Sequence, residues 1–109
     1  MSSVVPDSRE RRIVEGISSV WSTGKLHGEG WIQNLSREGL FVRSERLPEP
    51  GDPIALVCYF EREKLELRGE VRWTSPVAGG TGLPRGFGVH LPLPGRAFLE
   101  LYRRLLEPQ

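Results

Sequence analysis

The chain has 109 residues, which favours one domain over two, and its 38% apolar residues argue against disorder. Fifteen basic residues nearly balance fourteen acidic ones, so the net charge of +1 supplies no bulk field that attracts DNA or an anionic membrane. The single cysteine, Cys58, excludes an internal disulfide and leaves too few thiols for a metal cluster. Since no stretch has the length and apolarity of a signal peptide or a membrane span, we expect a cytoplasmic protein without membrane insertion.

Residues 1–8 lack periodicity and are predicted to form a flexible tail before a domain over residues 9–109. Apolar and β-branched runs between Gly, Pro, Asn and Ser clusters predict six short antiparallel strands, over residues 13–21, 28–35, 39–44, 54–60, 65–73 and 86–91. Strands at roughly ten-residue spacing favour a barrel or a sandwich.

The fifth predicted strand has the clearest alternation of apolar and charged residues. Its apolar residues fall on one face, with Gly69 in phase: Leu65, Leu67, Val71 and Trp73. This pattern is typical of a strand with one buried and one solvated face, and it favours a core position for Trp73.

After residues 94–95 the apolar period becomes helical, because Phe98, Leu101, Tyr102 and Leu105 are spaced i, i+3, i+4 and i+7. This spacing predicts an amphipathic helix over about residues 94–106. The fold class is therefore mostly β, with six strands and a C-terminal helix.

The sequence offers little catalytic chemistry. His27 and His90 lie far apart in sequence, and no Cys/His/Asp cluster has the spacing of metal ligands. Ser36 has no evident base, and the G-x-S-x-G motif is absent. We therefore predict a protein that is not an enzyme and holds neither a metal nor a cofactor.

A binding role is better supported by a basic cluster and a polar turn: Arg9, Arg11 and Arg12, then Asn34, Ser36, Arg37 and Gly39. Arginine forks grip phosphate and guanine edges, and a turn of short polar residues can fix a sugar and a base. Gly39 is expected to allow a backbone conformation that other residues resist. A solvated basic segment beside an ordinary turn fits these residues equally well.

Residues 34–42 (NLSREGLFV) resemble the [D/N]-x-S-x-x-G signature of PilZ domains and its apolar continuation. The order of later segments resembles the same family: residues 50–52 (PGD), 69–73 (GEVRW) and 86–91 (GFGVHL). The resemblance covers about residues 9–106. It implies a six-stranded antiparallel split barrel with a C-terminal helix, and binding of the bacterial second messenger cyclic di-GMP.

In PilZ domains an R-x-x-x-R motif precedes the signature and wraps the ligand. No two arginines of the N-terminal segment here stand four apart, but Arg12 lies 22 residues before Asn34 and matches the second arginine. Ser8 occupies the position four residues earlier, with Arg9 one residue away and Arg11 adjacent to Arg12.

The resemblance thus implies that these three arginines hold phosphate and guanine and that the turn residues Asn34, Ser36 and Gly39 shape the site, with Arg37 beside them. Trp73 could flank a base, as an alternative to its core position. We expect a stand-alone receptor, a monomer or weak dimer, that signals to an unidentified effector protein. A ligand-free adaptor acting through protein contacts remains an alternative. The near-neutral charge speaks against a third possibility, a barrel that binds single-stranded nucleic acid.

Overall fold

The computed structural model describes residues 12–14, 16–76 and 84–106. The predicted tail, residues 1–8, and the predicted site residues Arg9 and Arg11 therefore lie outside the described residues. Within these residues seven strands and one helix follow one another: β1 Arg12–Ile13, β2 Ser18–Ser22, β3 His27–Ser36, β4 Gly39–Arg43, β5 Pro53–Phe60, β6 Glu63–Ser75, β7 Gly86–His90 and α1 Gly95–Leu106.

Strands β2 to β7 form a closed antiparallel barrel. The order around it is β3-β2-β5-β6-β7-β4, and β4 pairs back to β3. The predicted six-stranded barrel with a C-terminal helix is confirmed, and the sandwich alternative is not.

The first predicted strand, residues 13–21, is interrupted in the structure. Four residues separate Ile13 from Ser18, whereas only two separate their partners Asn34 and Trp31 on β3. Gly16 adopts a φ of 83° within the extra length, a backbone conformation that favours glycine. The segment therefore bulges between β1 and β2, and the prediction of one continuous strand is wrong at this point.

The core lies inside the barrel and under the helix. Alternate residues of the strands point inward because side chains alternate across a strand, and Val42, Val71 and Phe87 have no exposed surface. Helix α1 contributes Phe98 and Tyr102 to the same core, which confirms its predicted apolar face. In the described part of the chain no helix is both long and apolar enough to cross a membrane.

Cys58 points into this core and is 3% exposed. Burial raises the pKa of its thiol from 9.0 to about 12, because the apolar surroundings disfavour the thiolate. The folded state thus binds this proton more tightly than the unfolded state. The contribution of this protonated thiol to the free energy of unfolding is fully present below pH 9 and is lost as the pH rises toward 12.

We expect the free energy of unfolding to fall above pH 9, by at most about 1.4 kcal/mol per pH unit from this thiol. Urea unfolding of the wild type and of Cys58→Ala at a series of pH values measures the effect. The free energy of unfolding is plotted against pH for both proteins, and the difference between the two slopes gives the contribution of the thiol. Equal slopes above pH 9 would contradict the prediction.

Candidate functional site

Two rows of residues cross the outer wall of the barrel over β3, β4, β7 and β6. The first, the Asn34 row, consists of Asn34, Phe41, Gly88 and Trp73. The second, the Ser36 row, consists of Ser36, Gly39, His90 and Glu70. Both rows face outward, because the residues between them on the same strands belong to the core: Leu35, Leu40, Val71 and Val89.

The Ser36 row begins at the tight β3–β4 turn. Arg37 and Glu38 form its exposed tip, and the Ser36 hydroxyl donates a hydrogen bond of 3.5 Å to the Gly39 carbonyl. The backbone N–H of Leu91 donates to the Glu38 carbonyl at 2.7 Å. This second bond fixes the turn against the end of β7, so the polar turn has a defined position beside the neighbouring strand.

Gly39 is required at the turn for a reason that differs from the prediction. Its φ is not positive, so the expectation of an unusual backbone conformation is wrong. A Cβ atom at this position would instead overlap the carbonyl oxygen of Val89 on β7. Glycine is therefore needed for the close approach of the two strands.

A β-bulge in β6 places Trp73 in the Asn34 row. The pairing with β7 shifts between Val71 and Trp73, so that Arg72 is the extra residue. Because one inserted residue reverses the faces of all those after it, Trp73 leaves the face of Val71 and turns outward. The prediction that Trp73 shares the core face of Leu65 and Leu67 is therefore wrong.

Trp73 lies against Phe41 on the outer wall. The two rings stack with centroids 5.3 Å apart and an interplanar angle of 25°. Gly88 lies between them in the row, and a Cβ there would come within 2.5 Å of the indole. Phe41 is only 1% exposed although it points away from the core, so the half-buried indole covers it. The outer wall thus presents a supported aromatic surface.

A cavity of about 430 Å³ lies over these two rows and is also lined by Arg72 and Glu38. Asn34 is 8% exposed in its wall, and its side chain makes no hydrogen bond with the other described residues. Its amide carries two N–H donors and a carbonyl acceptor, and the residue lines the cavity. The cavity therefore combines a polar side with an aromatic side.

Several residues of the cavity were not among the predicted site residues, and Arg72 and His90 are two of them with polar side chains. Arg72 lines the cavity and forms an exposed ion pair of 3.6 Å with Glu70. His90 lies between Gly39 and Glu70 in the Ser36 row. The position of His90 two residues after Gly88 places both on one face of β7, and this was the signal available in the sequence.

The predicted site residues divide into three groups. Asn34, Ser36, Gly39 and Trp73 come together at the cavity. Arg37 is exposed at the turn and does not line it. The backbone of Arg12 pairs with Leu35, directly between Asn34 and Ser36 on β3, whereas Arg9 and Arg11 lie outside the described residues.

Comparison with protein families gives the same assignment as these motifs. The family model described as PilZ domain matches residues 7–107. The chain belongs to the PilZ domain family. PilZ domains are a family known for binding cyclic di-GMP, and they are generally binding or regulatory modules rather than enzymes. No curated protein and no solved structure matched the chain.

Within the described residues of this PilZ domain, no group of three or more His, Cys, Asp or Glu side chains could hold a metal ion.

Proposed function

We propose that this PilZ domain binds cyclic di-GMP over the Asn34 and Ser36 rows and then signals to a partner protein. The observation that supports it most is the meeting of the Asn34 amide, the Ser36 hydroxyl and the Trp73 indole at one cavity. Such a cavity offers hydrogen bonds to the edges of a nucleotide and an aromatic surface to its base.

Base stacking is the contribution we assign to Trp73. Its indole is already supported by Phe41 at 5.3 Å, so little side-chain entropy is lost when a base adds to the stack. Stacking of a base on an aromatic side chain contributes about 1–3 kcal/mol. Asn34 and Ser36 would then select polar atoms of the ligand, and Arg72 would supply positive charge at the same cavity.

The N-terminal arginines complete the proposed site. Arg12 begins β1, and its backbone pairs with Leu35 between the Asn34 and Ser36 positions. Arg9 precedes Arg12 by three residues, and three residues of extended chain span roughly 10 Å. We assign Arg9, Arg11 and Arg12 to the phosphates and the guanine edges, where planar guanidinium groups bind with two hydrogen bonds.

Isothermal titration with cyclic di-GMP tests the proposal, with GTP and cyclic di-AMP as controls. Saturable binding of the guanine dinucleotide alone would support a second-messenger receptor. Absence of heat and of a thermal shift at high ligand concentration would contradict it and would favour the adaptor alternative.

We expect Ser36→Ala and Arg12→Ala each to weaken cyclic di-GMP binding about ten- to a hundredfold, because each removes a polar contact of about 1–3 kcal/mol. The matched controls are Ser22→Ala and Arg68→Ala, which change exposed residues that do not line the cavity. Titration of the four variants compares them directly. Wild-type affinity in both site variants would show that the ligand binds elsewhere.

A further inference from the structure

His90 is a polar side chain of the Ser36 row to which the proposed ligand site assigns no contact. It is half-buried on β7 and lines the cavity, between Gly39 on β4 and Glu70 on β6. No described residue forms a hydrogen bond or an ion pair with its imidazole. The imidazole is therefore available to a ligand in the cavity.

Gly39 leaves an open position in this row, between Ser36 and His90. A Cβ atom at Gly39 would lie 3.5 Å from the Cα of His90, so the absent side chain would occupy the space beside His90. Strands β3 and β7 flank β4, and two strand spacings separate them by roughly 10 Å. A group the size of a phosphate over Gly39 can therefore lie between the Ser36 hydroxyl and the imidazole.

The charges of the cavity wall cancel unless His90 is protonated. Among the described residues that line the cavity, Arg72 is positive, Glu38 is negative, and His90 is the third ionisable side chain. Histidine changes its charge between about pH 5 and about pH 8. A proton on His90 therefore makes this wall net positive, which favours an anion.

Other charged side chains near His90 come from β6 and from the β3–β4 turn: Arg68, Glu70, Arg72, Arg37 and Glu38. Glu70 lies directly opposite His90, but it also forms the ion pair of 3.6 Å with Arg72. The β3 residues of the two rows are neutral. Since the acidic and basic groups oppose one another, the negative charge of a bound phosphate is the change that favours a proton on His90.

On the basis of the proposed function, we further propose that one phosphate of cyclic di-GMP lies over Gly39, between the Ser36 hydroxyl and His90, and that His90 is protonated in the complex. An imidazolium donates hydrogen bonds from both ring nitrogens, and hydrogen bonds between charged groups are the stronger ones. Binding of the ligand and of one proton at His90 then favour each other. The affinity for cyclic di-GMP therefore rises as the pH falls from about 8 to about 6.

Isothermal titration with cyclic di-GMP at about pH 6, 7 and 8 measures this dependence. Uptake of one proton changes the affinity by at most about tenfold per pH unit, and we expect a total gain of about five- to tenfold between pH 8 and pH 6. The phosphodiester groups of the ligand keep their charge in this range. Cys58 also keeps its proton, because burial raises the pKa of its thiol to about 12.

The two histidines of the chain provide a matched pair of variants. His90→Gln keeps a side chain that donates a hydrogen bond but cannot carry a charge. Its affinity should lose the pH dependence and fall below that of the wild type chiefly at pH 6. His27→Gln changes an exposed residue that does not line this cavity, and it should keep the wild-type dependence.

Proton uptake by the wild type gives a second measurement that needs no variant. Titrations at about pH 7 in two buffers of different ionisation enthalpy should show uptake of a fraction of one proton per ligand, and His90→Gln should lack this uptake. Saturable binding with equal affinity at the three pH values, or a pH dependence that persists in folded His90→Gln, would overturn the role of His90 and leave the proposed function in place. Absence of binding at every pH would overturn both.

Discussion

Gly39→Ala is expected to destabilise the barrel by about 2 kcal/mol, with a range of about 1–3 kcal/mol for overpacked sites. The added methyl group would overlap the Val89 carbonyl oxygen, which is backbone and cannot turn aside as a flexible side chain can. Strands β4 and β7 would have to separate, and the turn that holds Ser36 would move with them. Urea unfolding followed by circular dichroism measures the loss.

Gly24→Ala is the matched control, because a Cβ at Gly24 meets no atom within 4 Å and the residue does not have a positive φ. The control is expected to change the free energy of unfolding by less than about 0.5 kcal/mol. Equal stability of Gly39→Ala and Gly24→Ala would show that the close approach to Val89 does not constrain this position.

Gly88→Ala is expected to reduce the affinity for cyclic di-GMP about ten- to a hundredfold, because the stacking of one base would be lost. Its effect on the free energy of unfolding is expected to be smaller. Its methyl group would come within 2.5 Å of the Trp73 indole, and a half-exposed side chain can move away where backbone cannot. Trp73 would then leave its stack on Phe41. Titration and urea unfolding of the same variant separate the two effects.

A double-mutant cycle with Trp73→Ala tests this cause. Once the indole is removed, Gly88→Ala has nothing to displace, so its effect on affinity should vanish in that background. An unchanged effect of Gly88→Ala in the Trp73→Ala protein would mean that Gly88 acts on the ligand site through some other contact.

The barrel could be predicted because its strands are short, regularly spaced and separated by strong turn residues. Strand β6, with apolar residues on one face and charged residues on the other as far as Val71, lies where its alternation placed it. Helix α1 likewise follows from its spacing of apolar residues, since period and burial agree at Phe98 and Tyr102.

The irregular positions could not be predicted, because a bulge leaves no mark on an alternating pattern. Trp73 continues the alternation of Leu65, Leu67 and Val71 in the sequence, and only the pairing with β7 shows that Arg72 is an extra residue. The same holds for the interruption at Gly16, where the additional length becomes visible only opposite β3.

The site was predictable in part for a related reason. Asn34, Ser36 and Gly39 belong to one short motif, so their closeness follows from the chain itself. Arg72 and His90 reach the same cavity from strands distant in sequence, through pairings that no local pattern specifies. The physical role of Gly39 was also hidden, because it depends on an oxygen atom of β7.

Each of the strands β2 to β7 has a paired neighbour on both sides. This double pairing leaves the shared lengths of these strands no open edge to which a strand of another molecule could be added. Residues 63–69 of β6 differ, because they pair with β5 but lie beyond the end of the pairing with β7. Charged side chains alternate along this part of β6, at Lys64, Glu66 and Arg68, and such charges discourage the addition of a foreign strand.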